Sequence, residues 1–434
     1  MTSLATSAGP ARGGPTPAAR GVPFRLVAER LASWLFGLFI FFTCFTFLRP
    51  SPYDFTAIPA MLIWFVLGVR MHRGAIVFVG LLVLYHLGLV TALIPYLDEP
   101  DPSLWTFQSI YLMITCIFFV MFFSDDAERR FDLGANAYLA SCVFAAVCGI
   151  ISYFVPTGIF FVMDGRAAGV FEDPNVLGSF LVLGLTLLTR RLLTGETRHP
   201  VVSGLALLTI LAALFLAFSR GAWAAGVLGC GLALAFTYRS SGAWIRRRIA
   251  ISAVAGVVVA GCGLAALLSQ SEIRDTFADR FTVTKDYDEG ETGRFGNQAR
   301  SLPMLMERPE GFGPLRFRLR FGLEPHNSYI GGFANGGWIG GFAFIGMALT
   351  TILVGLRLCL SPSPFQGRAQ AVVPATLMFL MQALQIDIDH WRHVYIMFGM
   401  VWGLECARLK WAARERARLR PVPADIRRPE LSAA

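Results

Sequence analysis

Apolar residues in this chain come in long unbroken runs, not in short alternations with polar ones. Runs fall at about 31–48, 55–71, 75–94, 104–123, 135–156, 174–189, 201–218, 221–237, 249–268, 329–356, 370–386 and 391–407. Most are roughly 17–25 residues long, the length that carries a helix across a bilayer core. Inside lipid the backbone must satisfy its own polar groups, so these runs predict helices. The alternating pattern of about ten residues that marks a membrane barrel strand is absent. The predicted fold class is therefore all-α, a polytopic transmembrane bundle of about twelve helices with one large outer loop. The tenth run is long and glycine-rich, which fits a tilted or broken helix.

The polar stretches divide the chain. Residues 1–30 read as a cytoplasmic tail, its first part rich in Ala, Gly, Pro, Ser and Thr and expected to be disordered. A cleaved signal peptide is not expected, because the leader is long and the first run is long enough to span. Residues 31–268 hold the first nine helices, 269–328 the large loop, 329–407 the last three helices, and 408–434 a basic tail. In the loop, Ile273, Phe277 and Phe281 recur every four residues; Phe295, Ala299, Leu302 and Met306 follow a helical spacing. Both patterns predict short amphipathic helices lying on the membrane. Arg316, Arg318 and Arg320 alternate with Phe317, Leu319 and Phe321, and this period of two predicts an extended segment. A basic surface touching lipid headgroups is the plainer role for that triplet.

Composition agrees with the pattern: 55% of residues are hydrophobic and only 15% charged. The net charge of +9 does not point to nucleic acid, because its distribution has another explanation. With the N-terminus in the cytoplasm, Arg and Lys concentrate in the inner segments, including Arg70 and Arg73, Arg129 and Arg130, Arg190 and Arg191, and Arg246 to Arg248. The short outer loops hold only Arg49, Arg166, Arg220 and Arg392. That is the positive-inside bias, with both termini cytoplasmic. The eight cysteines lie in or next to apolar runs, so no disulfide framework is expected.

On this topology four polar clusters share the outer face. The first is Arg166 to Asn175, where Pro174 suits a first helical turn and Asp173 a cap. A capped helix start is an equally good account of it. The second is Ser219-Arg220-Gly221, a turn so tight that Arg220 must lie at the bilayer surface. Such an arginine either pairs with an anion or snorkels. The third, Pro325-His326-Asn327-Ser328-Tyr329, enters the tenth helix, with Gly336-Gly337 and Gly340-Gly341 spaced for close helix packing. The fourth is Asp387-Ile388-Asp389-His390-Trp391-Arg392-His393, which reads as a hydrogen-bond network of acid, Arg and His, or less readily as a metal site.

In this order the clusters resemble the O-antigen ligase and O-antigen polymerase superfamily. The resemblance spans roughly 30–407 and is carried most specifically by His326-Asn327-Ser328-Tyr329-Ile330, with Gly337 and Gly340 following. Arg166-x-x-Gly169-x-Phe171-x-x-Pro174-Asn175, Ser219-Arg220-Gly221, and Thr292-Gly293-Arg294 ahead of Gly311-Phe312-Gly313 support it. One departure is Asn335, where the family often has Glu, so no carboxylate role passes to that position. The resemblance implies a bacterial inner-membrane glycosyltransferase acting on the periplasmic face in polysaccharide or lipopolysaccharide biosynthesis. Its donor would be a glycan on undecaprenyl diphosphate, and its acceptor another carrier-linked glycan (polymerase) or lipid A-core (ligase). It implies His326 as catalytic base and Arg220 and Arg294 as diphosphate ligands; Arg166, Asn175, Asn327, Asp389 and Arg392 are candidate substrate-binding residues.

The chemistry suits these residue types. A glycosyl diphosphate carries its own leaving group, so the protein must neutralise growing charge and activate a hydroxyl. Arginine matches phosphate oxygens with planar donors and stays charged. Histidine ionises in the right range for a base. Direct attack would invert the anomeric carbon and needs neither metal nor cofactor. No Walker motif or dinucleotide fingerprint appears. The rival class is a multi-pass transporter or flippase, which twelve helices also suit. A transporter should carry ionisable groups near the bilayer midplane; here His86 is the main one.

Overall fold

The computed structural model describes residues 18–48, 50–280, 290 and 292–419. The protein is an all-α helical bundle, and each of the twelve apolar runs forms a helix. Among the described residues eight helical segments are long and apolar enough to cross a membrane: Arg25–Cys44, Arg73–Tyr96, Pro100–Ser124, Ala127–Phe154, Pro174–Thr194, Arg220–Ser240, Ala243–Leu268 and Ser328–Leu360. In chain order the α-helices within or between these are α1 (Ala18–Phe41), α2 (Pro52–Val66), α3 (Ile76–Leu93), α4 (Pro100–Ser124), α5 (Ala127–Phe154), α6 (Pro174–Thr194), α7 (Pro200–Leu216), α8 (Arg220–Ser240) and α9 (Ala243–Leu268). The loop contributes α10 (Ser271–Arg280), α11 (Arg294–Met306) and α12 (Phe317–Phe321); α13 (Ser328–Leu360), α14 (Gln366–Gln382) and α15 (Arg392–Arg418) complete the bundle. α1 begins at Ala18, ahead of the first apolar run, and α15 continues beyond the last one to Arg418.

The core is a continuous apolar cluster, with α4 and α15 meeting along Phe119 and Phe123, and α3 against α13. Gly336 and Gly340 of α13 lie against Gly88 of α3, where no side chain separates the backbones, as the glycine spacing predicts. Gly337 has another task. It sits at φ 61° and breaks α13, and a Cβ there would overlap the carbonyl of Pro309. The loop segment 309–313 docks into that break: Trp338 N donates to Pro309 O (2.9 Å), and Phe312 N and Gly313 N donate to Ala334 O (2.8 and 3.0 Å).

His86, the main midplane candidate, is buried and bonded within the bundle, with Nδ1 2.7 Å from Leu82 O and Nε2 3.0 Å from Ser109 O. α9 buries only Ile249, leaving its apolar surface outward.

The expected extended segment at 316–321 is not found. Phe317–Phe321 is a helical turn instead. Residues four apart share a helix face, so Phe317 and Phe321 stack at 4.5 Å and pack on Phe312. Burying two rings together outweighs spreading three arginines along a strand. Arg316 pairs with Glu99 and lies 4.0 Å over the ring of Tyr96. The two loop helices expected from periodicity are present as α10 and α11; Phe281 lies outside the described residues.

Candidate functional site

The α5–α6, α7–α8 and α14–α15 connections and the starts of α11 and α13 meet at one end of the bundle, around a cavity of about 650 Å³. Its wall includes Arg166, Asn175, Arg220, Arg294, His326 and Asp387, drawn from five separate stretches of sequence.

Each of these residues is held by local structure. A short hairpin, Phe161–Met163 paired with Arg166–Gly169, delivers Arg166. Arg166 is buried; its Nε donates to Ala217 O (3.0 Å) and its Nη2 to Asn175 Oδ1 (2.8 Å). Asn175 stands in the first turn of α6, and Asp173 caps that turn by accepting from Asn175 N (2.7 Å), as predicted. Arg220 is the first residue of α8. Phe218, at φ 44°, makes the sharp turn from α7, and the Ser219 side chain caps the new helix. Arg294 opens α11; its Nη1 donates to Gln385 O (3.4 Å), and its guanidinium lies 4.7 Å over the Phe295 ring.

The start of α13 is stitched to the α14–α15 loop. Ser328 N donates to Ala383 O (2.7 Å), Ile388 N to Ser328 Oγ (2.8 Å), and Tyr329 OH to Leu380 O (2.9 Å). Asp387 completes the seam by accepting from His326 N (3.1 Å) and Asn327 N (3.0 Å). These bonds hold His326 in the left-handed region at φ 45°, a conformation that a non-glycine residue adopts only when its surroundings impose it. The His326 side chain is 44% exposed, and Nδ1 lies 3.7 Å from Asp387 Oδ2.

Asp387 is the residue that sequence reasoning passed over in favour of Asp389. Burial pushes its carboxyl up to about 7, helped by Asp389 and Glu324 and opposed by the two backbone N–H groups. Asp389 goes the other way. Burial alone would raise it, but the hydrogen bond and charge of His390 bring it below the usual carboxylate value. The Asp-x-Asp spacing puts the two side chains in different surroundings. Asp387 faces the cavity, while Asp389 meets His390 Nδ1 (3.0 Å), whose ring lies 4.1 Å from Trp105.

Three expected site residues are not on the cavity wall. Asn327 is the N-cap of α13, accepting from Tyr329 N (3.0 Å) and Ile330 N (3.1 Å). Asp389 belongs to the His390 pair just described. Arg392 turns toward α2, bonded to Asp54 (3.2 and 3.3 Å) and Ser51 Oγ (3.0 Å), with its guanidinium 4.4 Å over Tyr53. His393 is buried among Phe180, Phe379 and Trp391, apart from His390. Among the described residues, no group of three or more His, Cys, Asp or Glu is placed to hold a metal. Asn335, the departure noted above, accepts from Leu315 N (3.2 Å) and so supports the docked loop.

Beyond Asp387, the wall includes Gln382, Gln385 and Trp391. The Gln382 Oε1 atom is buried and accepts no hydrogen bond among the described residues, so it can accept one from a ligand hydroxyl. No sequence signal marked it, because a lone Gln at the end of an apolar run has no distinctive spacing.

The arrangement is a cluster of guanidinium groups facing a histidine and a carboxylate, at one end of a helical bundle whose apolar helices suit a multi-pass membrane protein. Residues 205–345 match the model of the O-antigen ligase family, a stretch from α7 into α13 that contains Arg220, Arg294 and His326. The match supports assigning the chain to the O-antigen ligase and polymerase superfamily, and with it an enzyme of that broad type. No curated protein matches the chain.

Proposed function

We propose that the protein transfers a glycan from an undecaprenyl-diphosphate carrier to a sugar hydroxyl, at the periplasmic face of the bacterial inner membrane. The observation that carries this reading is the convergence of Arg166, Arg220 and Arg294 with His326 and Asp387 on one cavity. Arg220 and Arg294 bind the diphosphate and stabilise its charge as it leaves, while Arg166 is tied to Asn175 and supports the same wall.

The acceptor oxygen attacks the anomeric carbon as the bond from that carbon to the phosphate oxygen breaks. The electron pair leaves with the diphosphate, and the configuration inverts. The hydroxyl proton passes to His326. Its Nδ1 side faces Asp387, so Nε2 is the nitrogen presented to the acceptor. Asp387 orients the ring and steadies the imidazolium as it forms, the division of labour between a base and its carboxylate partner. The His326 side chain is partly exposed, so the proton then returns to solvent. Metal and cofactor have no part in these steps. The acceptor, either a carrier-linked glycan for a polymerase or lipid A-core for a ligase, decides between the two activities.

The test is transfer by purified protein in proteoliposomes given carrier-linked glycan and acceptor. His326→Ala should retain donor binding and lower transfer by about 10²–10⁴-fold. Transfer at the parental rate would leave His326 as a structural residue only. The Arg220→Lys, Arg294→Lys double variant should lose most activity, because a point charge cannot replace the planar fork. Full glycan assembly by that variant at normal expression would remove the diphosphate role.

A further inference from the structure

Helix α11 carries its polarity in an order unlike that of a surface helix in water. The side turned to the protein is partly polar: Asn297 and Ser301 are buried along with Leu305. Asn297 Nδ2 donates to Thr292 O (3.0 Å) and Phe321 O (3.1 Å), and Gln298 Nε2 donates to Pro325 O (2.8 Å). The apolar stripe of Phe295, Ala299, Leu302 and Met306 faces out, with Phe295 52%, Leu302 45% and Met306 45% exposed. At about 100° per residue the four fall within roughly 60° of one another, and the buried line lies about 130° round the helix. α10 is different. Its Ile273 is buried, and Phe277 stacks on Phe215 (5.8 Å) and Trp223 (5.7 Å), so protein covers its apolar side.

What covers the α11 stripe follows from its neighbours. Trp338 Nε1 donates to Leu305 O (3.0 Å), which joins the C-terminal end of α11 to α13. From that point Trp338, Ile339 and Phe342 continue an exposed apolar flank along α13, one of the helices long and apolar enough to span a membrane. Tryptophan is enriched at that depth, where its ring meets acyl chains and its N–H meets polar groups. Exposed Arg300, Arg318 and Arg320, with exposed Leu319 between the last two, lie on α11 and α12 and suit phosphate headgroups.

We propose that α11 is seated in the bilayer surface, its stripe of Phe295, Ala299, Leu302 and Met306 among the acyl chains just below the headgroups. The partner of this face is the lipid leaflet. On the glycan-transfer reading, and resting on it, this seat places Arg294 and Phe295, the first turn of α11 and part of the cavity wall, at headgroup depth. A carrier-linked diphosphate then meets Arg294 without leaving the membrane surface.

The test needs no transfer reaction, so it stands or falls apart from the proposed activity. Nitroxide labels are placed one at a time at positions 302, 306 and 310 of the full chain, with exposed Cys262 replaced by Ser, in phospholipid nanodiscs. Collision rates with oxygen, which partitions into lipid, are compared with those of a polar nickel chelate. Positions 302 and 306 should favour oxygen, and position 310, where Glu310 is exposed, should favour the chelate. A chelate preference at 302 and 306 would show a water-facing stripe and overturn the proposal. Low access to both probes would show a protein covering the stripe, which overturns it equally.

Discussion

At the scale of single residues, the site turns on one pair. His326 is forced to positive φ by bonds that Asp387 accepts from the backbone, and the same carboxylate faces its ring. One side chain thus sets both the position and the carboxylate partner of His326, the proposed base. Because the Asp387 carboxyl is pushed up to about 7, it loses its charge as pH falls through neutrality. On the proposed mechanism the charge that steadies the imidazolium is then gone, so transfer should decline below about pH 7. Asp387→Asn lacks that charge at every pH. Its rate at pH 8 should drop at least about tenfold, with a flatter profile between pH 6 and 8. A pH–rate series on both proteins checks this, and a parental profile in the variant would remove Asp387 from the mechanism. Arg392 offers the contrast. It bonds Asp54 and Ser51 and lies over Tyr53, so Arg392→Ala should lower thermal stability, by about 1–3 kcal/mol, while transfer per folded molecule stays near parental. Melting curves alongside specific activity separate the two effects.

At the scale of elements, the break in α13 matters most. Gly337 lets the 309–313 loop bond into the helix, and that loop continues through α12 to His326. Gly337→Ala would meet both an unfavourable φ and the Pro309 carbonyl, a cost of about 1–3 kcal/mol. The expected outcome is a lower melting temperature in detergent and faster proteolysis within 309–325. An unchanged melting curve would mean that the loop docks by other contacts. α12 shows how local periodicity misleads. Five residues that alternate Arg with apolar side chains fit a strand or a single helical turn, and the ring of Phe312 as a packing partner favours the turn.

At the scale of the whole molecule, the bundle gathers its polar connections at one end and leaves apolar helices such as α9 facing outward. On the charge bias we expect that end to face the periplasm and both termini to lie in the cytoplasm. A cysteine at Glu310 should react with an impermeant reagent added outside spheroplasts, and one at Arg198, between α6 and α7, only after permeabilisation. The reverse pattern would invert the molecule and with it the face on which glycan transfer is proposed.

The sequence by itself determined the helices and the candidate chemistry. Segment length, apolar content and capping residues act within a few turns of chain, so the helix runs, the Asp173 cap and the two loop helices were all legible. Arg166, Asn175, Arg220, Arg294 and His326 were also legible, because polar groups beside apolar runs stand out and their order resembles a family. Which of the outer-face residues touch one another is a matter of contacts across distant chain segments, and only the tertiary structure decided it. The packing of the Asp387–His393 stretch against the α13 start is fixed by bonds such as Ser328 to Ala383 and Asp387 to His326. Two positions there separate a carboxylate on the cavity, Asp387, from one on His390, Asp389, and no local pattern encodes that choice.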